Sequence, residues 1–310
     1  MPTSTSQDYA LQAVKGIKEV FHNAVQYDLN VFRDQNIVNF YSTDEFNEIF
    51  TSTEGLNGVK ELAEAEAPPV LALEEGYSIT LSETRFGGAI QLTSTQMRQA
   101  RDNTTRIDGF LAQQQAQLLQ GTRNFMLNFA FYPLNNAVNA SALTLSPDGV
   151  ALLGTHSWNT PGAATWNNLS TSATVTEAAI DAASLYGGDF KDPSGKPMPL
   201  SFDTIIVKKG SNNARAAKRL FASGISPVAI DDVNVYYGEY TIIETPYITA
   251  QASWFLRDSS LPNSVRIGMG QMPTLEEPIR QNNGAVRSNV EGFMKNGVFN
   301  LPFDWYGYAA

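Results

Sequence analysis

Polar and apolar residues alternate with a period of two from Tyr77 to Ser82, placing Tyr77, Ile79 and Leu81 on one face and Ser78, Thr80 and Ser82 on the other. Arg85-Phe86-Gly87-Gly88 reads as a turn, and Ile90 and Leu92 against Gln91 and Thr93 as a return strand. Residues 70–93 are therefore expected to form a two-stranded ribbon. Such a ribbon is marginal in water alone, so its apolar face must lie on something else and its edges invite another chain.

The period then changes. Thr93-Ser94-Thr95-Gln96 offers an N-cap hydroxyl with Gln three residues on, a capping box. Met97, Ala100, Thr104, Ile107, Leu111, Leu118, Thr122, Phe125 and Phe129 follow at helical spacing, while most other positions are polar. No proline intervenes before Pro133, so an unbroken helix would reach about 55 Å. Gly109 and Gly121 are the two places where it could bend or divide.

Ala10, Val14, Ile17, Phe21 and Ala24 predict an amphipathic N-terminal helix, and Ser42 with Glu45 a capping box ahead of a short helix through Phe46, Ile49 and Phe50. Pro68-Pro69 stops the segment 60–67. Beyond Pro133, short strands and helices alternate with turns, as in an α+β or mixed body. Thr174 and Glu177 frame a helix bearing Ala178, Ala182 and Leu185, stopped at Gly187-Gly188. Residues 202–207 read as a buried strand and Ser211 as the cap of a helix through Ala214, Ala217 and Leu220. Residues 233–243 and 265–269 are further strands, and 299–308 an aromatic closing segment carrying Phe303, Trp305, Tyr306 and Tyr308.

Composition narrows the function. Hydrophobic residues make up 43% of the 310, enough for a sizeable core, and no run approaches a membrane span. The N-terminus lacks the blocks of a signal peptide, so the chain is expected to stay in the cytosol where it is made. Without cysteine there are no disulfides, thiolate metal sites or cysteine nucleophiles. A net charge of −10 disfavours nonspecific wrapping of nucleic acid, yet suits a wall around DNA that must not grip its cargo.

Candidate chemistry is sparse. His22 and His156 have no evident local partner, and His156 reads as a hydrogen-bonded loop imidazole rather than a general base. Residues 188–196 fail as a phosphate loop, with Pro197 where a hydroxyl belongs. Asp231-Asp232 and Glu276-Glu277 read as solvated acids. No catalytic, cofactor-binding or metal-binding residue is assigned, and no cofactor is expected. One basic concentration, Lys208, Lys209, Arg215, Lys218 and Arg219, suits either helix-dipole compensation or an acidic or phosphate partner.

This order of features resembles the major capsid proteins of tailed bacteriophages, which share the Hong Kong 97 fold. The residues that carry the resemblance are 77–81 with 86–90, the helix from Met97, Gly154-Thr155-His156 with Asn168-Leu169-Ser170, the strand 200–207 with the helix 214–221, and 238–248. It looks closest to head proteins of Mu-type phages and prophages. The resemblance implies an α+β Hong Kong 97-like fold: N-terminal arm over 1–69, E-loop hairpin over 70–93, spine helix of the peripheral domain over 94–132, a mainly axial domain over 133–250, and return strands of the peripheral domain with the C-terminal segment over 251–310. It implies hexamers and pentamers of an icosahedral head enclosing double-stranded DNA without sequence-specific contact. The head would be assembled in the host bacterial cytoplasm and ends as the virion capsid, with scaffolding, portal and decoration proteins as possible partners. Tyr77, Ile79, Leu81, Arg85, Phe86, Ile90 and Leu92 are the expected subunit-interface residues, Arg85 through a polar or ionic contact. Residues 70–93 hold no lysine, so the crosslink some family members make there is not expected. The alternatives are an encapsulin-like compartment shell of the same fold and a carboxylate-based hydrolase.

Overall fold

The computed structural model describes residues 37–54, 74–96, 104–224, 234–276, 279–282 and 284–310. The expected N-terminal helix with His22, the segment 60–67, residues 70–73 of the expected ribbon, Met97 and Ala100 of the long helix, Asp231-Asp232, Val233 and Glu277 lie outside them.

Two sheets share one core. In the first, β10 (Val265–Leu275) and β12 (Val286–Val298) run antiparallel, β1 (Asn39–Ser42) joins β10 in parallel, and β4 (Thr84–Leu92) and the short β11 (Ile279–Arg280) join β12. The second orders β13 (Trp305–Tyr308), β9 (Trp254–Arg257), β7 (Thr204–Lys208) and β8 (Thr241–Thr245). Its strands alternate between two packed layers, as a pleated strand must. Ile206, Phe255 and Trp305 point into a core shared with the first sheet, whereas Ile205, Val207, Leu256 and Tyr306 face helices α3 (Glu177–Asp189) and α4 (Asn212–Phe221). Sequence reading left β9 and β12 unassigned, and residues 234–239 form turns rather than the strand expected from 233 onward.

The long helix is present. α1 (Thr104–Ala130) continues through both Gly109 and Gly121, so the division considered at either glycine does not occur, and α2 (Tyr132–Asn135) follows. Upstream, residues 94–96 form a helical turn with a reciprocal capping box: Thr93 N–H donates to Gln96 Oε1 at 2.9 Å and Gln96 N–H to Thr93 Oγ1 at 3.3 Å. Thr122, Met126, Leu127 and Ala130 are buried, Met126 and Ala130 in the core that holds Val290 and Met294 of β12, while Phe125 remains partly exposed and stacks between Phe86 and Phe129.

Four expectations change. Residues 47–54 form a strand, β2 (Asn47–Glu54), not a helix, because Glu48, Phe50 and Ser52 alternate toward the body. The ribbon of residues 70–93 is not a self-paired hairpin: β3 (Glu74–Ser82) pairs with β2, and β4 with β12. Arg85, Phe86, Gly87 and Gly88 sit inside β4, and only Glu83 separates the two strands. Finally, α3 is capped by Thr176, which accepts from Ala179 N–H, and runs through Gly187-Gly188; it buries Ala179, Ile180 and Ala183 rather than Ala178, Ala182 and Leu185.

Candidate assembly surfaces

A two-stranded ribbon therefore exists, built from β2 and β3, with residues 55–73 beyond its described end. Its register places Glu48 across from Leu81 and Phe50 across from Ile79. That face meets the chain's own body rather than open solvent. Phe50 packs edge-on to Phe299 at 4.2 Å between ring centroids, and Tyr41 closes on the same ring at 5.6 Å. Leu81 fills the space above Gly297, where a Cβ would meet Leu81 Cδ2 at 2.7 Å. Further along, the Tyr77 hydroxyl lies 3.3 Å from Ser157 Oγ and 3.4 Å from the Trp158 carbonyl.

Charge fixes the root of the ribbon. Lys295 of β12 is completely buried; its ammonium donates to the Glu45 carbonyl and lies 3.5 Å from Glu48, which also accepts from the Tyr41 hydroxyl at 2.9 Å. A buried ammonium is tolerable only with such partners. Burial, followed by the Glu48 carboxylate, drives the Tyr41 phenol far above its ordinary value, so it stays protonated as the donor.

The seven residues expected at a subunit interface divide. Leu81, Phe86, Ile90 and Leu92 are buried within the chain, Phe86 against α1. Tyr77 and Ile79 are half-buried. Arg85 stays 66% exposed at its side chain but pairs with Glu291 of its own β12. Sequence reasoning missed Phe46, just ahead of β2, and Ile49 on the ribbon's outer face, which are 64% and 69% exposed. Their spacing predicts a short helix, which does not form. Beside this region, β4 and α1 enclose a groove of about 510 Å³ lined by Phe86, Gly88, Leu118 and Phe125 among others.

The polar centres are structural. His156 Nδ1 lies 2.9 Å from Asp148 Oδ2, both side chains fully or almost fully buried, so the histidine does have a local partner, eight residues upstream. Burial raises the Asp148 carboxyl, but the hydrogen bond and charge of His156, with donors from Ser146 and Val150, outweigh it and leave the pKa lowered. Asn168 takes the Gly154 N–H at 2.8 Å and donates to the Leu152 and Pro302 carbonyls at 3.0 Å each. The Gly154 to Asn168 bond thereby joins the two stretches that carried the family resemblance, beside the antiparallel pair β5 (Thr155–His156) and β6 (Trp166–Asn167). Asp304, fully buried, accepts from Ser264 N–H and Oγ and faces Arg257 at 3.8 Å; burial pushes its carboxyl up to about 6 against the pull of both. Among the described residues, no group of three or more His, Asp or Glu could hold a metal ion, and no helix is long and apolar enough to cross a membrane.

No protein-family model matches the sequence, nor does any curated protein. Solved structures do resemble the fold. A capsid structure of the empty GTA particle is 11% identical, with 89% of each chain covered and a TM-score of 0.53. A structure of Gordonia phage Cozz is 12% identical over 89% of this chain and 85% of that one, with a TM-score of 0.49. A virus-like particle from Pyrococcus furiosus is 10% identical over 94% and 98%, with a TM-score of 0.48. The α+β capsid fold expected from the sequence is the fold this chain shares with the GTA capsid.

Proposed function

We propose that this chain is a major capsid protein that assembles into hexamers and pentamers of an icosahedral phage head around double-stranded DNA. The observation that carries the reading is fold likeness to a capsid subunit over 89% of both chains, not over one shared motif. The described surface fits it. The ribbon's inner face is tied to the body, which fixes its angle, while Ile49 on its outer face and Phe46 at its root stay exposed and offer apolar surface to another chain. In this reading β2 and β3 belong to the E-loop, α1 is the spine helix, the first sheet belongs to the peripheral domain and the second to the axial domain. The chain matures as part of the virion after assembly in the host cytoplasm. Scaffolding, portal and decoration proteins are its partners, and the motifs quoted above are similar to those of Mu-type head proteins.

Of the expected interface residues, Tyr77, Ile79 and Arg85 retain surface for a neighbour, and Ile49 and Phe46 join them. Leu81, Phe86, Ile90 and Leu92 act by holding the ribbon and β4 in place. Each apolar contact contributes on the order of 25 cal/mol per Å² removed from water, and a shell multiplies it over every subunit.

Electron microscopy of Ile49→Asp and Ile79→Asp proteins tests the ribbon's role. Wild type should yield closed particles and both variants folded subunits without particles. Normal shells from both variants would remove the ribbon from the contact. Particles containing a protein cargo and no nucleic acid would instead indicate an encapsulin-like compartment.

A further inference from the structure

The basic concentration on β7 and α4 is left unexplained by the ribbon contact. Lys218 pairs with Glu244 of β8, the edge strand of its sheet, so the exposed side of α4 that carries Arg215, Lys218 and Arg219 turns toward that edge. Among the described residues, Lys209, Arg215 and Arg219 are exposed and carry no side-chain partner. Helix-dipole compensation accounts for Lys218 and Arg219 in the last turn, but not for Arg215 or Lys209 near the N-terminal end, where a cation is unfavourable.

The same layer carries the opposite chemistry on its neighbouring surface, reached across residues 235–239, where Gly238 N–H donates to the Phe221 carbonyl of α4 at 2.9 Å. α3 lies over the other half of the sheet, with the Tyr186 ring tilted against Tyr306 of β13 at 5.3 Å between centroids. Its solvent face presents Asp181, Leu185 and Asp189, and the adjoining turn adds Val235, Tyr237 and Glu239. The Tyr236 hydroxyl donates to Asp181 at 2.5 Å and fastens that turn to the helix, making one surface of the two. Leu185 and Val235 are 66% and 72% exposed and give this acidic surface an apolar centre.

We propose that these are the two halves of one heterologous contact: the basic side of α4 on one copy docks against the acidic, apolar surface of α3 and residues 235–239 on a second copy. A contact between unlike patches repeats head to tail and gives a ring when the rotation between copies closes. The inference rests on the shell reading and names the charge pairing that joins its subunits within a capsomer. A second copy is the fitting occupant because the chain itself supplies the complementary charge and the apolar centre. Nucleic acid would need several phosphates neutralised by a surface that also contains Glu244.

Charge reversal followed by charge swapping tests it. Arg215→Glu with Arg219→Glu makes the basic-side variant, and Asp189→Lys with Glu239→Lys the acidic-side variant; Asp181 is left intact to hold the turn. Native mass spectrometry and negative-stain microscopy read assembly, and circular dichroism with thermal melting reads folding. Each variant alone should remain folded and need at least about tenfold more protein to form rings or shells, given the modest worth of each exposed pair. Combining all four substitutions should restore assembly, and added salt should weaken the wild-type ring. Normal assembly of either variant, or failure of the combined variant to recover while it is folded, overturns the pairing. Reduced nucleic-acid content with normal assembly of the basic-side variant overturns it in favour of a phosphate contact. Absence of assembly by wild type would instead defeat the shell reading itself.

Discussion

Gly87→Ala distinguishes β4 as a sheet strand from the same residues as an exposed ribbon turn. In the structure Gly87 is paired with Glu291, and a Cβ placed on it would stand 2.5 Å from the Val290 carbonyl oxygen. That neighbour is backbone in the interior of β12, which also pairs with β10, so it cannot move without disturbing two ladders. Overpacking of this kind costs about 1–3 kcal/mol, and the upper half applies because no flexible side chain can give way. Gly88→Ala is the control: its Cβ meets only Leu118 Cδ1 at 3.1 Å, the far end of a side chain that can turn. Urea titrations of the unassembled subunit, monitored by tryptophan fluorescence, should show a lower midpoint for Gly87→Ala and a much smaller change for Gly88→Ala, with m unchanged. A Gly87→Ala protein as stable as wild type would refute the β4–β12 seam and return these residues to an exposed turn.

Three further outcomes follow from the geometry. Gly121→Ala, in mid-helix with nothing within 4 Å of the added methyl, should stabilise the subunit by about 1 kcal/mol in the same titration. Phe50→Ala removes the ring packed on Phe299, and faster amide hydrogen exchange should appear in β2 and β3 while α3 and α4 keep their protection. Asp304 gives a pH dependence with an unusual sign. Its folded pKa of about 6 lies above the ordinary carboxyl value, so the native state binds the proton first. Its contribution therefore grows as pH falls through about 6 and fades as pH rises, with a slope of at most about 1.4 kcal/mol per pH unit. Asp304→Asn should flatten stability between about pH 4 and pH 6 relative to wild type.

Local signals in the sequence proved more legible than partners. The reciprocal cap at Thr93 and Gln96, the Ser211 cap, the long helix and the alternation of β3 all express chemistry confined to a few neighbouring residues. The partner of β3 does not, because alternation names a buried face without saying which strand lies beside it. Ser42 and Glu45 imitated a capping box, yet Phe50 finds Phe299 only in a strand. β12 went unread because Glu291, Lys295 and Asn296 interrupt any apolar pattern. Their partners are Arg85, the Glu45 carbonyl and the Phe129 carbonyl, all distant along the chain. The candidate assembly surface was obscured for the same reason. Residues that alternate like an interface, Leu81, Ile90 and Leu92, were satisfied within the subunit, and the exposed ones, Phe46 and Ile49, carried a helical spacing.

Sedimentation velocity of the purified chain at near-physiological salt measures the claim on which everything else depends. Subunits built to tile a shell should sediment as rings or closed particles many times the 33.9 kDa mass of one chain. A single boundary at the mass of one chain, unchanged as protein concentration is raised, would contradict the account.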